Sequence, residues 1–473
     1  MLCKAILLET LVFGVCNELL GYDTIVVDNL LNISLNDDQW RQASLPVRNG
    51  GLGIRRIQDT GLEAFLASTY GVVELVARIL SLNDDECRLL FVSEALEEWK
   101  KTCPGQRIPT EPQTQRQWDD VHCQMTLAQL LESATGPDLA RLKAASTCKS
   151  GAWLHALPSP QLGTLLDNNT LRVAAALRVG CNVGEEHRCV CGATADRQGH
   201  HGLGCTRCAG RFPRHHALND IIRRALVIAN IPCTLEPPGL CRLDGKRPDG
   251  LTLVPWERGR CLLWDATCVS TFAASHINGT IRQAGSAAKN AARHKHTKYN
   301  SLKATYIFIP VAFETTGVWG EEAKRFIKEI ARRLIERGQD RRCLAYLTQR
   351  LSLAIQRGNA ASIMEEEGTE LELEALYRRY CVRLKHALFV SALCVTLACS
   401  VSLLCAVCVL NPPRKRGLWG VKQPSKPSHV TCYVTSQAGR CCQACVAMLA
   451  APPRQPYQPV PPTAPCINKP ATS

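Results

Sequence analysis

The sequence predicts an α/β protein in which helices pack on a small mixed sheet. Residues 247–357 alternate between a hairpin, a helix, a strand and two further helices, an order typical of a mixed sheet covered by helices. Residues 1–149 have a mostly helical pattern, and residues 387–410 form an uncharged apolar run. With 473 residues, the chain is long enough for two or three domains.

The composition changes along the chain and predicts its organisation. We expect a helical region (1–149), a zinc knuckle (175–210), a mixed-sheet domain (211–363), a helical linker (364–386), a transmembrane helix (387–410) and a disordered tail (411–473). The apolar run is long enough to cross a bilayer, since spanning needs about 20 apolar residues. Basic residues lie on both sides of it, so they do not fix its orientation. The tail is rich in proline with scattered cysteines, which favours disorder.

Charge and cysteine content restrict the class of protein. A net charge of +14 and a pI near 8.9 favour a polyanionic partner. The 26 cysteines need a separate explanation. The first residues show no convincing secretory signal, because Glu9 interrupts a short apolar run. We therefore expect metal ligands and buried thiols rather than disulfides.

Residues 40–55 are the most informative part of the N-terminal region. They predict the end of one helix, a turn rich in Pro and Gly, and the start of another segment. Residues 59–80 then show the apolar spacing of a buried helix.

A polymerase palm needs clustered aspartates between apolar strands. The aspartate pairs at 37–38, 84–85 and 119–120 lack such flanks, so we expect no polymerase activity.

A segment rich in cysteine and histidine predicts a structural zinc site. Two thiolates from a tight turn, closed by a histidine and a cysteine about one helical turn apart, suit tetrahedral zinc. The predicted ligands are Cys189, Cys191, His201 and Cys205. His200 and Cys208 are rival ligands. Free cysteines in a glycine-rich loop are the alternative.

Two aspartates flank a predicted hairpin. Residues 251–255 and 261–267 have the composition of strands, and the polar segment between them contains a glycine. Folding about Glu257 brings Asp249 opposite Asp265, since both lie equally far from that residue. Converging carboxylates bind hard cations, so we expect Mg2+ or Mn2+ here.

Basic residues follow on the next predicted helix, residues 281–303. A lysine beside a metal-bound phosphate stabilises developing negative charge or orients the attacking water. We expect Lys295 and Lys298 in this role, with more weight on Lys295, whereas Tyr299 packs or positions the helix. Aspartates that cap turns, beside a solvated basic helix, are the alternative reading of the same residues.

The part after Tyr299 completes the predicted sheet domain. Residues 304–314 predict a strand, and residues 321–337 and 341–357 predict helices. Arginines on these helices either follow a phosphate backbone or form a solvated face. They are Arg332, Arg333, Arg337, Arg341, Arg342 and Arg350.

The order of these motifs resembles the PD-(D/E)XK nuclease pattern, with one departure. Ala266 and Thr267 follow the second aspartate, so the lysine expected two residues after it is missing. A lysine displaced to the following helix is a feature of the restriction-like endonuclease of non-LTR retrotransposons. That family runs from a Cys-Cys-His-Cys knuckle through Arg-His and Pro-Asp to a second Asp and Lys-x-x-Lys-Tyr. All of these steps occur here in the same order.

The resemblance extends over about residues 40–363, because residues 40–54 are similar to the segment after the polymerase core of retroelement reverse transcriptases. It implies a truncated protein of the RNA-directed DNA polymerase family that retains a restriction-endonuclease-like core. Such a protein would nick target DNA in the nucleus, with element RNA as a second partner. A catalytically inactive remnant that binds nucleic acid, or associates with membrane through residues 387–410, is the alternative.

The resemblance also suggests contacts with nucleic acid. Arg214 and His215 match the family's Arg-His position, in a basic turn that leads into a helix at 221–229. They either contact phosphate at the helix N-terminus or tie the knuckle to the nuclease core. Arg247, just before the Pro-Asp, joins this predicted set. Glu236 is a further candidate for a metal carboxylate.

Overall fold

The structure, a computed structural model, describes part of the chain, and every described residue belongs to one structural unit, Met1–Val401. The described ranges are residues 35–81, 92–208, 210–240 and 247–364. The predicted linker, apolar helix and tail lie outside the described residues from 365 onward, as do residues 1–34 of the predicted helical region. Within the described ranges, no helix is long and apolar enough to cross a membrane.

The N-terminal part is helical where it is described, as predicted. Its helices are α1 (Asp37–Ser44), α2 (Ile57–Leu80), α3 (Ser93–Thr102), α4 (Gln115–Ser133), α5 (Gly136–Ala145) and α6 (Asn168–Val179). The start of α1 is fixed by Asn36, whose side chain accepts the Gln39 N–H at 2.9 Å. The Asn36 N–H donates back to the Gln39 side chain at 3.0 Å, so a capping box satisfies two backbone donors.

The predicted turn between α1 and α2 is held by a buried arginine. It contains the 3-10 turn Val47–Asn49, and Gly50 follows with a left-handed φ of 92°, a conformation that favours glycine. The Arg178 guanidinium, from α6, donates to the carbonyls of Gly51 at 3.0 Å and Val47 at 2.9 Å. Burial lowers the pKa of Arg178 to about 10. The turn is therefore docked on α6 by hydrogen bonds to its own backbone.

A small hairpin and a larger sheet with its helices follow. The hairpin pairs β1 (His187–Arg188) with β2 (Thr194–Ala195) and precedes α7 (His200–Gly204). The larger sheet and the helices around it are α8 (Arg211–Ile228), β3 (Cys233–Leu235), β4 (Gly250–Thr252), β5 (Leu262–Val269), α9 (Ile277–Arg282), α10 (Ser286–Lys298), β6 (Ile307–Glu314), α11 (Glu321–Glu336) and α12 (Cys343–Met364). The 3-10 turn Asn300–Ala304 joins α10 to β6.

The prediction of a mixed sheet is confirmed. The strands lie in the order β3, β4, β5, β6, with antiparallel pairing up to β5 and parallel pairing between β5 and β6. The hairpin register aligns Gly250 with Trp264 and Leu251 with Leu263. This is the register that the sequence predicted. The turn itself is centred on Arg258 and Gly259, with φ of 50° and 73°, rather than on Glu257, and β4 is shorter than predicted.

Two predicted helix boundaries were wrong. The segment from Arg211 to Asp220 is already helical, because Pro213 lies in the first turn of α8, where its missing N–H breaks no helical hydrogen bond. The helix expected at 281–303 is divided between α9 and α10. Gly285 has a φ of 86°, and this left-handed conformation interrupts the helix.

Helices α8, α11 and α12 pack with β5 and β6 around one apolar core. Its largest buried members include Leu218, Ile222, Leu226, Trp264, Phe313, Phe326, Ile330 and Leu351. The apolar faces of these helices match the buried strands, so burial of apolar area stabilises the arrangement. This core thus lies against β5 and β6, and β5 carries Asp265.

Four of the six arginines in the predicted basic cluster have partners within the chain. Arg332 and Arg333 pair with Glu329 at 2.7 Å, and Arg342 pairs with Asp340 at 2.9 Å. Arg350 donates to a backbone carbonyl at 2.9 Å. These pairs favour the solvated face over the phosphate-binding alternative for this cluster.

We expect opposite effects from the same substitution at two glycines. A methyl group at Gly250 would overlap the buried ring of Trp264, so Gly250→Ala should destabilise the protein by about 1–3 kcal/mol. Gly71 is exposed within α2, and a methyl group there meets only Gln113 Cβ at 3.7 Å. Gly71→Ala should therefore stabilise by about 0.5–1 kcal/mol. Thermal unfolding measures both, and an unchanged melting temperature for Gly250→Ala would contradict the packing described here.

A second prediction concerns pH. His122 Nδ1 lies 3.1 Å from Glu63, which is only 2% exposed, and this hydrogen bond raises the pKa of His122 above 6.5. The stabilisation should be fully present below pH 6.5 and lost as the pH rises through the raised pKa. Melting temperatures of wild type and His122→Gln should therefore differ most at acidic pH and converge at alkaline pH. A difference that does not change with pH would refute the assignment.

Candidate metal centres

Three thiols and one imidazole meet between the β1–β2 hairpin and α7. The ligand atoms of Cys189, Cys191, His201 and Cys205 all lie within 4.8 Å of one another. The sulfurs of Cys189 and Cys205 are 3.7 Å apart, and Cys191 Sγ lies 3.3 Å from His201 Nε2. This is the donor set of a four-coordinate structural site. The group could hold a metal ion such as zinc.

The local backbone brings these four residues together. Gly192, with a φ of 90°, turns the chain just after the first two thiols. Asp196 accepts the N–H groups of His200 at 3.0 Å and His201 at 2.8 Å, which fixes the start of α7. The Cys205 N–H then donates to the His201 carbonyl at 2.9 Å. The second pair of ligands is therefore separated by one helical turn, as predicted.

The two rival ligands have other surroundings. The His200 ring stacks on Phe272, with centroids 3.9 Å apart, so it packs α7 against the segment that follows β5. Cys208 is buried beside the group. Burial favours the neutral Cys205 thiol, but the Arg207 N–H and the neighbouring thiols outweigh it and lower its pKa. A lowered pKa favours the thiolate that binds metals.

At the second centre, Asp249 is oriented by three neighbours that all contact Oδ2. The Ala266 N–H donates at 2.6 Å, the Asn219 amide donates at 3.1 Å, and His215 Nε2 lies at 2.9 Å. Burial favours the neutral carboxyl, but these contacts outweigh it and lower the pKa of Asp249. The hydrogen bond between His215 and Asp249 raises the pKa of His215.

Asp265 is buried on β5 and contacts the last turn of α10. Lys295 Nζ forms an ion pair with Asp265 Oδ1, and Lys298 Nζ lies 3.8 Å from Oδ2. The Asp265 side chain is 2% exposed, whereas the lysine side chains are 24% and 23% exposed. The two ammonium groups thus lie between a buried carboxylate and solvent, where a ligand can reach them.

The hydroxyl of Tyr299 links Lys298 to the start of β4. Tyr299 is fully buried, and its hydroxyl donates to the Arg247 carbonyl at 2.8 Å. Lys298 Nζ donates to the same hydroxyl at 2.6 Å. The side chain of Arg247 forms an ion pair with Glu236. Tyr299 therefore packs against the site, and the Glu236 carboxylate is engaged by Arg247.

Arg214 and His215 face different surroundings although they are adjacent. Arg214 is 3% exposed, and its Nη1 donates to Asn359 of α12 at 2.7 Å. Gly358 packs on its aliphatic stem. These contacts favour the alternative in which Arg214 ties elements together. His215 lies instead at the aspartate centre and is 38% exposed.

Sequence patterns did not identify Asn219 and Trp264 as parts of this centre. Trp264 Nε1 donates to Asn219 Oδ1 at 3.0 Å, which turns the Asn219 amide nitrogen toward Asp249. His215 and Asn219 lie four residues apart on α8, so they share one face of the helix. This spacing of four residues indicates a shared helix face only if α8 starts at Arg211, which is earlier than the predicted boundary.

Comparison of the chain with protein-family models and with curated proteins finds no match. The geometry of the two centres and the order of the sequence motifs therefore carry the functional assignment.

We expect the Cys3His group found among the described residues to bind one zinc ion in the purified full-length chain. Cys205→Ser should lose most of this zinc and lower the melting temperature, since a serine hydroxyl replaces a thiolate ligand. Cys233→Ser is the matched control, because this half-buried thiol lies on β3 outside the group. Elemental analysis measures the zinc, and equal zinc in wild type and Cys205→Ser would exclude the site.

Proposed function

We propose that this chain is a metal-dependent DNA endonuclease derived from a non-LTR retrotransposon protein. The observation that carries the proposal is the contact of Lys295 and Lys298 with Asp265, which lies opposite Asp249 in the register of the hairpin. The carboxylates come from neighbouring strands in register, and the lysines come from the helix that follows. Hard oxygen ligands beside cationic groups suit the hydrolysis of a phosphodiester.

In this proposal Asp249 and Asp265 would supply the carboxylate ligands for Mg2+ or Mn2+. The contacts described for Asp249 all reach Oδ2, so Oδ1 is the oxygen that would face the cation. The lowered pKa keeps this carboxylate ionised near neutral pH. When bound, the cation would polarise the scissile phosphate and favour a hydroxide nucleophile.

Lys295 supplies positive charge beside these carboxylates. Its ammonium already contacts Asp265 and is partly exposed, so an entering phosphate would offer it a second anionic partner. Lys295 would then stabilise the charge that develops on the phosphate oxygens. Lys298 is also bonded to the Tyr299 hydroxyl, which gives it a secondary role in the same place.

Exposed basic residues extend from the lysines along α10 and suit a nucleic-acid backbone. Lys289, Arg293 and His294 are exposed on this helix. The net charge of +14 favours the same partner. Arg332 and Arg333 of α11 are engaged by acidic side chains, so we place the DNA path over α10. The zinc knuckle would stabilise the fold or contact target DNA and element RNA.

The direct test is nicking of supercoiled plasmid by the full-length chain with Mg2+ or Mn2+. We expect nicking by wild type and none by an Asp249→Asn, Asp265→Asn double variant, because the cation ligands are lost. Lys295→Ala should lower the rate by about 100- to 1000-fold, the usual effect of removing one transition-state charge contact. Lys328→Ala is the matched control, since it removes the same charge from an exposed position on α11, outside the proposed DNA path.

Two results would overturn the proposal. Folded, zinc-loaded protein that shifts DNA mobility without nicking would identify a nucleic-acid-binding remnant. Nicking that survives the double variant would place the activity elsewhere or in a contaminant.

A further inference from the structure

Helix α10 starts on a buried carboxylate. Glu314, the last residue of β6, is fully buried. Its Oε1 accepts the backbone N–H groups of Ala287 at 3.0 Å and Ala288 at 3.1 Å, and its Oε2 accepts the Thr271 hydroxyl at 3.2 Å. The first N–H groups of a helix have no partner within the helix. Glu314 supplies that partner from a neighbouring strand.

We infer that Glu314 is a positioning residue, which holds the start of α10 and thereby places Lys295 and Lys298 against Asp265. This inference rests on the proposed function and names a residue that none of the sequence motifs includes. Glu314 acts through the helix, because it lies far from the carboxylate centre. The parallel register pairs Asp265 with Pro310 and Val269 with Glu314, a separation of roughly 13 Å along the strands at about 3.3 Å per residue.

Because α10 is a continuous helix, the position of its first turn determines the position of the two lysines near its end. Ala288 and Lys295 are separated by roughly 10 Å along the axis, at about 1.5 Å per residue. A shift or fraying at the start of the helix therefore moves the ammonium groups relative to Asp265. The Glu314 carboxylate belongs to β6, so its hydrogen bonds fix the first turn of α10 relative to the sheet.

The start of α10 cannot depend on continuity with α9. Gly285 breaks the helix with a φ of 86°, and α9 is held separately by Lys143, which donates to the Ile281 carbonyl at 2.7 Å. At the other end of α10, His296 lies 2.9 Å from Glu322 of α11. Glu314 therefore holds the first turn of α10, and the contacts of Lys295, His296 and Lys298 hold the last turn.

The test compares two substitutions of similar size in the full-length chain. Glu314→Gln keeps an acceptor oxygen for the helix N–H groups, whereas Glu314→Met fills the same space without one. The Met variant should lose amide hydrogen-exchange protection at residues 286–298 and keep it in β5. Its kcat for plasmid nicking should fall by about 10- to 100-fold, the usual effect of a misplaced catalytic group, with an unchanged KM for DNA. The Gln variant should retain both properties.

A helix cap elsewhere is the matched control. Asp167 accepts the Thr170 N–H at 2.8 Å at the start of α6. Asp167→Ala should therefore lose protection in α6 alone, with normal nicking. If Glu314→Met does not fold, Glu314→Asp takes its place, because it withdraws the carboxylate by one methylene and should give smaller effects in the same direction.

The outcomes separate this inference from the proposed function. Normal protection of residues 286–298 in the Met variant, or reduced protection with an unchanged kcat, would overturn the positioning role. If wild type does not nick DNA, the proposed function fails. The exchange measurement then still decides whether Glu314 fixes α10 against the sheet.

Discussion

The packing of Trp264 on Gly250 is the constraint on which the aspartate centre depends. The indole is fully buried, and its ring occupies the space that a side chain at Gly250 would need. This contact fixes the register of β4 on β5. The indole N–H also orients Asn219, which bonds to Asp249. The Trp264 side chain thus fixes both the register of the two strands and the orientation of the Asp249 carboxylate. It also explains why the residue after Asp249 is a glycine, since a larger side chain would overlap the indole.

The second half of the centre reaches it from a different element. Thr267 stands on β5 two residues after Asp265, where the nuclease pattern has lysine, and Lys295 instead contacts Asp265 from α10. The electrostatic effect of an ammonium group on a phosphate depends on the distance between them and on their burial. A lysine from α10 can therefore take the place of a lysine on β5. The consequence is a stricter demand on the placement of α10, which the buried Glu314 carboxylate meets.

Local patterns were enough to predict some features and not others. The hairpin register and the Cys3His group follow from spacing within a short stretch, where turn geometry and helical periodicity leave few choices. The start of α8 at Arg211 differs from the prediction, because the basic residues expected to form a turn already belong to the helix. The roles of Arg178, Asn219 and Glu314 depend on contacts between residues far apart in sequence, which no local pattern reveals.

The most direct measurement is a crystal structure of the full-length chain with a DNA duplex and Mn2+, located by anomalous scattering. We predict a manganese peak in contact with both Asp249 and Asp265, with the Lys295 ammonium turned to a phosphate oxygen. A duplex bound elsewhere, or an aspartate pair without manganese while Lys295 stays on Asp265, would contradict the assignment of this centre as a nuclease site.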